Sequence, residues 1–230
     1  MAALNVSREI VELTPEQQQQ IASVLSLLET DEHAPTAIRA PGEAALVHVA
    51  DSLAALEVQA LAKAERIADL GSGAGFPGLA LAVALPGAEV SLIESQRRRC
   101  EFLERSCASA GIENARVVWT RAEEWHAGAS RNDVVVARAL APQTVVLEYA
   151  APLLRTGGTL IDWRGRREKA AEEQADRAAA LLGLRREEVR RVVPFEGAND
   201  HHLHVFVKTL ETPARFPRRA GVARKRPLGA

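Results

Sequence analysis

Two different spacings of apolar residues divide this chain. Near the N-terminus, apolar residues recur every three or four positions from Ile21 to Leu28, after Thr14-Pro15, a typical helix start. These features predict a helix over residues 14–29, and further helical structure is predicted over 43–62. Farther along the chain, short apolar runs typical of strands alternate with amphipathic stretches. The pattern therefore predicts an N-terminal helical extension followed by an α/β region.

The alternation of strands and helices predicts a mainly parallel sheet with helices on both faces, because parallel strands need crossover connections. Two later β-rich stretches, 188–194 and 203–209, flank a Gly-Ala-Asn-Asp turn and predict a terminal antiparallel hairpin. Together these elements predict a seven-stranded sheet. The five predicted parallel strands are 66–70, 89–94, 115–119, 133–137 and 158–163, and the predicted helices are 77–85, 96–110, 143–154 and 166–182.

The predicted organisation has three parts: a helical extension over 1–64, an α/β domain over 65–210 and a basic tail over 211–230. The 230 residues suffice for one substantial core, and a 47% apolar content with few aromatics suits helices packed on a sheet. No 18-residue apolar run and no secretory signal are visible, so neither a membrane span nor export is expected. Cys100 and Cys107 are interpreted as packing thiols in a reducing compartment, which predicts a cytoplasmic protein.

The net charge of −1 conceals an uneven distribution of charge. Residues 215–230 contain six Lys or Arg side chains and no acid, whereas acids exceed bases in the rest of the chain. Such a tail is a candidate arm for binding phosphates. The alternative is a disordered terminus that only aids solubility. Charge alone leaves both interpretations open.

One segment carries most of the candidate chemistry: Ile67-Ala-Asp-Leu-Gly-Ser-Gly-Ala-Gly-Phe-Pro-Gly78. It reads as a short buried strand that ends at Asp69, breaks into glycines and continues as a helix from about Pro77. Glycines at such a turn accept positive φ angles and let a ligand approach the backbone. Glu94 ends the next apolar run, where a carboxylate can bind the two hydroxyls of a ribose. The unit therefore predicts a cofactor that contains a nucleoside.

The glycines match two patterns. Gly71-x-Gly73-x-Gly75 resembles the first motif of class I S-adenosylmethionine methyltransferases, and Gly73-x-Gly75-x-x-Gly78 also fits the dinucleotide fingerprint. Asp69 favours the first, because a carboxylate suits the ammonium of a methionine moiety better than a pyrophosphate. A short-chain dehydrogenase needs Tyr-x-x-x-Lys, yet the only tyrosine, Tyr149, has a leucine four residues later. An oxidoreductase that binds NAD or NADP remains an alternative.

Further motifs stand in one order along residues 36 to 228, nearly the whole chain. They are Thr36-Ala-Ile-Arg39, His48-x-x-Asp51-Ser52-Leu53, the glycine segment, Glu94-Ser95, Arg121-Ala-Glu123, Ala137-Arg138-Ala139, Phe216-Pro-Arg-Arg-Ala-Gly221 and Pro227-Leu228. In this set the chain resembles the small-subunit ribosomal RNA methyltransferase G family, formerly called glucose-inhibited division protein B. Departures include Glu94, where the family usually has Asp, and Arg164-Gly165 in place of Lys-Gly.

The resemblance implies a class I methyltransferase fold, Rossmann-like, that uses S-adenosylmethionine. It implies methyl transfer to N7 of a guanine in a loop of small-subunit (16S) ribosomal RNA. The implied partner is that RNA or the assembling small subunit, with no membrane, no obligate protein partner and a monomeric enzyme. The rival hypotheses are a small-molecule methyltransferase and a non-catalytic RNA-binding module that retained the fold.

The motifs assign roles to particular residues. The glycines should surround the methionine and ribose, Glu94 should bind the ribose, and Arg138 should contact the cofactor carboxylate or orient the guanine. The predicted cofactor residues are Asp69, Gly71, Ser72, Gly73, Gly75, Phe76, Glu94, Ala122, Glu123 and Arg138, and the predicted RNA-binding residues are Arg164, Arg218, Arg219, Arg224, Lys225 and Arg226.

The predicted chemistry needs few side chains. Guanine N7 has an available lone pair, so no general base is expected, and Arg138, His48 and Asp51 are candidates for positioning the reactants. Trp163 is interpreted as a core residue, with stacking on the target base as the alternative. The alternating histidines near residue 202 lack partners of the metal-binding kind, so no metal site is expected.

Overall fold

A computed structural model describes residues 13–229. Its seven strands form one sheet in the order β3-β2-β1-β4-β5-β7-β6. Neighbouring strands from β1 to β5 are parallel, and β7 runs antiparallel to both β5 and β6. The predicted parallel sheet with a terminal hairpin is confirmed. The strands are β1 Arg66–Leu70, β2 Glu89–Glu94, β3 Ala115–Trp119, β4 Asn132–Arg138, β5 Leu154–Arg164, β6 Leu184–Val192 and β7 His201–Lys208.

Helices cover both faces of this sheet, as the alternation predicted. On one face, the N-terminal helices, α5 and α6 pack on the strands, and on the other face α7 and α8 do so. The α-helices are α1 Pro15–Thr30, α2 Pro41–Ala44, α3 Asp51–Leu53, α4 Gln59–Ala62, α5 Gly78–Ala84, α6 Arg97–Ala110, α7 Gln143–Ala150, α8 Lys169–Leu182 and α9 Val222–Lys225. Among the described residues, none of the helices combines the length and apolar character needed to cross a membrane.

The stretch predicted as helical over 43–62 is not one continuous α-helix. A π-helical turn, Ala45–Ala50, lies between α2 and α3, and a 3₁₀ turn, Ala54–Glu57, lies between α3 and α4. The widened turn lets the Asp51 amide donate to the Leu46 carbonyl. Such turns often occur at functional sites. Here the distortion lies beside two polar residues that are buried, His48 and Asp51.

Three strands begin two or more residues earlier than predicted. β5 begins at Leu154 rather than at residue 158, because Leu154 already pairs with Asn132; residues 155–158 then form an irregularity before Thr159 pairs with Val134. β6 begins at Leu184, four residues earlier than predicted, since Gly183 (φ +79°) ends α8 and turns the chain directly into the strand. β7 likewise begins two residues early, at His201.

The basic tail is packed against the body of the protein. Phe216 and Ala223 are buried in the same apolar cluster as α7 and α8. This packing differs from the disordered terminus that the sequence left open, and phosphate binding by the segment stays a prediction. The prediction of a helical extension is confirmed by α1, and residues 1–12 of the extension lie outside the described residues.

Candidate functional site

The glycine turn follows β1 and is fixed to the end of β2. The amides of Gly71 and Ser72 both donate to the Ile93 carbonyl, at 2.8 and 3.1 Å. Gly75 has a φ of +94°, and a Cβ there would lie 2.2 Å from Leu79 Cδ1. A larger residue would therefore be strained and would clash with α5. The turn lies at the carboxyl ends of the parallel strands, where ligands bind in folds of this kind.

Asp69 lies beneath the turn rather than on its surface. Its side chain is 1% exposed, and Oδ2 accepts a hydrogen bond from the Gly78 amide at 3.1 Å. A Cβ at Gly78 would come within 2.6 Å of that oxygen, so the close approach needs glycine. Burial raises the pKa of the Asp69 carboxyl to about 6, against the opposing effects of hydrogen bonds from Ser72 and Gly78 and the charge of Arg138. Asp69 thus braces the turn, and its contact with a ligand stays a prediction.

Glu94 ends β2 and connects the turn to the next helix. Oε2 accepts a hydrogen bond from the Gly73 amide at 3.2 Å, and Oε1 accepts from the amides of Ser95 and Gln96 at 2.7 and 2.8 Å. The side chain is buried, and Arg99 Nη1 lies 3.6 Å from Oε2. This position at the strand end suits the predicted ribose contact, and each carboxylate oxygen can accept more than one hydrogen bond.

A pocket opens beside the turn at the ends of β1, β2, β3 and β4. Three of the predicted cofactor residues line it: Gly71, Ala122 and Glu123. Glu123 lies in a 3₁₀ turn, Ala122–Glu124, that follows β3 and holds its side chain only 7% exposed. The remaining lining residues are Ile93, Ser95, Thr120, Arg121, Leu140, Tyr149 and Arg224.

The sequence patterns did not assign Leu140 and Tyr149 to this pocket, and they assigned Arg224 to RNA. Leu140 follows Ala139, which has a φ of +53°, unusual for a residue other than glycine. That conformation comes directly after β4 and turns the chain toward the pocket. The motif Ala137-Arg138-Ala139 marks this place in the sequence, but it gives no sign of the backbone reversal.

Three predicted positioning residues meet beside the turn. Arg138 Nη1 donates to Asp51 Oδ2 at 2.9 Å and to the Val47 carbonyl at 3.2 Å. Arg138 Nη2 lies 3.3 Å from His48 Nδ1. Only 16% of the Arg138 side chain and 5% of the Asp51 side chain are exposed. The ion pair therefore fixes the end of β4 to the start of α3, and the contacts with Val47 and His48 fix it to the π-helical turn, at a place largely shielded from water.

His48 is held as a neutral ring. Burial, together with the charge of Arg138, lowers the pKa of His48 to about 4. Because Arg138 can only donate to Nδ1, Nε2 carries the proton and donates to Thr36 Oγ1 at 3.2 Å. The ring stacks on Phe76 with centroids 5.1 Å apart. Phe76 is thus buried against His48, and the stack connects the glycine turn to the N-terminal helices.

Two further residues complete this network without having been predicted for it. His201 Nδ1 lies 2.9 Å from Asp51 Oδ1, so Asp51 joins Arg138 on one oxygen to His201 on the other. Trp163 Nε1 donates to the Asp51 carbonyl at 3.0 Å, and Trp163 is 6% exposed. The core interpretation of Trp163 is therefore correct, because the ring is not accessible to a base. The contacting residues of β7 and the N-terminal helices, His201 and Asp51, are 150 residues apart in the sequence. No local sequence pattern therefore reveals this contact.

The cations predicted to bind RNA fall into two groups. Arg164 donates to the buried Asp162 carboxylate at 2.7 Å, and Arg218 forms a two-pronged ion pair with the buried Glu148. These two guanidinium groups are engaged within the protein. The exposed members are Arg219, Arg224, Lys225 and Arg226. One exposed aromatic residue was not predicted, Trp119, which is 61% exposed with the Arg97 guanidinium over its ring.

No group of three or more His, Cys, Asp or Glu side chains within residues 13–229 is arranged to hold a metal ion. The charged groups of the site are instead the carboxylates of Asp69, Glu94 and Glu123, the Arg138–Asp51 pair, and the guanidinium groups of Arg121 and Arg224 that line the pocket. Such a site can bind a cationic, nucleoside-containing ligand against the turn.

Comparisons with solved structures agree with this fold. Aeropyrum pernix fibrillarin, solved in complex with natively bound S-adenosylmethionine, aligns with a TM-score of 0.52 at 18% identity and covers 62% of this chain and 66% of its own. The antibiotic-resistance methyltransferase Kmr aligns with a TM-score of 0.54 at 18% identity and covers 68% and 92%. At these identities the likeness concerns the fold alone, and the predicted class I methyltransferase fold is confirmed.

Comparisons with sequences reach further. The family model described as rRNA small subunit methyltransferase G matches residues 16–203. A ribosomal RNA small subunit methyltransferase G from Syntrophomonas wolfei is 40% identical over 183 residues, 79% of this chain and 85% of the relative. One from Rubrobacter xylanophilus is 40% identical over 196 residues, 83% and 75% of the two chains. The chain belongs to the rRNA small subunit methyltransferase G family, as its motifs predicted.

Proposed function

We propose that this protein transfers a methyl group from S-adenosylmethionine to N7 of a guanine in small-subunit ribosomal RNA. The observation that carries the proposal is the family match over residues 16–203, a range that contains every predicted cofactor residue. We further propose that it works as a monomer in the cytoplasm, where small subunits are assembled.

The chemistry of the pocket fits the cofactor. When bound, S-adenosylmethionine supplies an electrophilic methyl group on a sulfonium centre. At the end of β2, Glu94 accepts hydrogen bonds from the ribose hydroxyls. The carboxylate of Asp69 places negative charge below the turn for an ammonium group. The backbone of Gly71 and the Ala122–Glu123 segment form the side of the pocket that receives the adenine. Three acids around the turn favour a cationic ligand over a pyrophosphate.

The Arg138–Asp51–His48 network orients the reactants. Arg138 is close enough to Asp69 for its charge to lower the pKa of that carboxyl, so it borders the methionine end of the site. Its pairing with Asp51 and the contact of Asp51 with His201 hold the guanidinium in one orientation. Guanine N7 carries a lone pair, so no residue has to remove a proton from it. His48, neutral and bonded at both nitrogens, therefore positions its neighbours and does not act as a base.

RNA binds across the carboxyl ends of the parallel strands, where the pocket opens. Arg219, Lys225 and Arg226 are exposed on the packed tail and contact phosphates, which gives affinity without sequence information. Trp119 is fixed by a hydrogen bond from Nε1 to the Ser95 carbonyl at 3.1 Å, and its exposed face can stack on an unpaired base. Arg164 and Arg218 hold the protein together and make smaller contributions to phosphate binding.

The proposed function is tested by methyl transfer to small-subunit RNA from cells that lack this gene. S-adenosylmethionine labelled in its methyl group is supplied, and the product is mapped at the nucleoside level. We expect one labelled N7-methylguanosine at a single position. Small subunits and deproteinised RNA are compared as substrates. Incorporation into an amino group or a 2′-hydroxyl, or no incorporation despite measured cofactor binding, would contradict the proposal and redirect the search to small-molecule acceptors.

A further inference from the structure

The C-terminal segment, residues 213–229, is built into the body of the protein by buried contacts. Arg218 donates to Glu148 on α7 through its backbone amide at 3.1 Å and through its guanidinium, and Glu148 is only 1% exposed. At the far end, Arg177 and Gln174 on α8 donate to the carbonyls of Gly229 and Leu228. These anchors fix the segment at both of its ends.

Between the anchors, the segment bonds to both loops that flank the cofactor pocket. The Gly221 amide donates to Glu123 Oε1 at 3.2 Å, on the loop that follows β3. Arg224 Nη2 donates to the Leu140 carbonyl at 3.1 Å, on the loop that follows β4. Leu140 in turn packs on the glycine turn, since a Cβ at Gly71 would lie 2.5 Å from Leu140 Cδ1. The segment therefore connects the two sides of the pocket.

Arg224 also contributes directly to the pocket, where it lines the wall together with Ala122, Glu123 and Tyr149. Ala122 and Glu123 are the residues proposed to lie beside the adenine. A guanidinium group is planar and stacks well on aromatic faces, which suits a purine ring in this position. The side chain of Tyr149 is buried next to it.

We infer that the C-terminal segment forms the outer wall of the adenine end of the cofactor site, with Arg224 as the residue that contacts the adenine. This inference rests on the proposed cofactor. Because the segment joins Glu123 to Leu140, binding of the cofactor and docking of the segment stabilise each other. Thermodynamic coupling is reciprocal, so each can be measured through the other.

The first test measures cofactor affinity by calorimetry, without RNA. Replacement of Arg224 by Ala should weaken S-adenosylmethionine binding by about tenfold, the range of a stacked or hydrogen-bonded guanidinium. R224K should recover only part of the affinity, because an ammonium group does not stack in the same way. The matched control is R185A, which removes an exposed guanidinium from β6, at the opposite edge of the sheet from the pocket.

The second test measures docking of the segment by limited trypsin digestion. Cleavage within residues 213–229 should slow by about tenfold when S-adenosylmethionine is saturating, because binding closes the local opening that trypsin needs. Cleavage after Arg219, a site that the substitution leaves intact, should be faster in R224A and should respond less to the cofactor. This measurement requires no methyl transfer and no RNA.

The outcomes separate the inference from the proposed function. Failure of the wild-type protein to bind S-adenosylmethionine overturns the proposed function. The inference alone is overturned if the wild-type protein binds S-adenosylmethionine, R224A binds it as tightly as R185A does, and the cofactor leaves the rate of cleavage unchanged. Weaker binding in R224A together with cofactor protection in the wild type supports it.

Discussion

The two ends of the cofactor pocket are constructed in opposite ways. At the glycine turn, the residues that matter are consecutive, from Asp69 to Gly78, and most of them are buried between β1, β2 and α5. At the end proposed for the adenine, the wall combines Glu123 and Leu140 with Gly221 and Arg224, which are 98 and 84 residues away from their partners. One end comes from a local motif, and the other comes from packing between distant parts of the chain.

This difference has a physical consequence for how each end can fail. The glycine turn depends on backbone conformations and close contacts that a single Cβ would disrupt. The docked segment is held at the pocket by two hydrogen bonds, from the Gly221 amide to Glu123 and from the exposed Arg224 to the Leu140 carbonyl, which a local opening can break and restore. We therefore expect substitutions at the turn to abolish binding and substitutions in the segment to weaken it.

The largest effect should come from Gly75→Ala. Alanine at a φ of +94° is strained, and its Cβ would lie 2.2 Å from Leu79 Cδ1. We expect a loss of about 3 kcal/mol in the free energy of unfolding and a weakening of S-adenosylmethionine binding by about 100-fold. The control is Gly87→Ala, where a Cβ would meet no atom within 4 Å. Denaturant titration and calorimetry measure both effects. Equal behaviour of the two variants would contradict the role of the turn.

Next in size is Arg218→Ala, which leaves the carboxylate of Glu148 buried without its partner. The expected loss is about 3 kcal/mol in the free energy of unfolding, because an uncompensated buried charge is costly. Adding Glu148→Gln should restore part of that loss, since a neutral amide is cheaper to bury. Thermal and denaturant unfolding give the values. A loss no greater than that of R185A would mean that the segment is not anchored there.

Asp51→Asn probes the network beside the glycine turn, where Arg138 and His201 share one carboxylate. Loss of the charge should let Arg138 move, and we expect kcat to fall by about 30-fold with little change in the KM for S-adenosylmethionine. Asp133→Asn is the matched control, because it also breaks an Asp–Arg pair, with Arg155. That pair lies at the opposite ends of the strands. A rise in the KM for S-adenosylmethionine that accompanies the fall in kcat would indicate that Asp51 has a structural role rather than a positioning role.

The smallest effect concerns the pH dependence of cofactor binding. The pKa of Asp69 is raised to about 6 by burial, and a cationic ligand prefers the ionised carboxylate. The ionised fraction falls as pH decreases through 6, so affinity should fall on the acidic side and level off above pH 7. We expect a Kd about tenfold higher at pH 5 than at pH 7. Asp69→Asn, which keeps an acceptor for the Gly78 amide, should bind more weakly and show no such change.

The sequence predicted the strands and the conformation of the glycine turn well, and the ligand contacts of the turn stay predictions. The strand, the glycines and the acid at the end of β2 lie within residues 66–94, and their conformational demands are visible in the residue types. The order of elements also predicted the sheet, because parallel strands require crossovers and the last two strands lack a helix between them. Errors at Leu154 and Leu184 concern where strands begin, which depends on sheet pairing more than on local preference.

The adenine end could not be predicted in the same way. The basic composition of the tail indicated phosphate binding, but the contacts of Arg218 and Arg224 depend on where α7 and the loop after β4 lie in space. The π-helical turn at Ala45–Ala50 is another example, since the 43–62 stretch reads as regular helix until the burial of Asp51 against Arg138 is known. Tertiary contacts decided each of these features.

The most direct measurement of this contrast is a crystal structure of the protein with S-adenosylhomocysteine. The account predicts the adenine between the Ala122–Glu123 segment and Arg224, the ribose on Glu94, and the C-terminal segment docked as it is here. An adenine bound outside this pocket, or a cofactor bound while residues 213–229 lie away from Glu123 and Leu140, would contradict it.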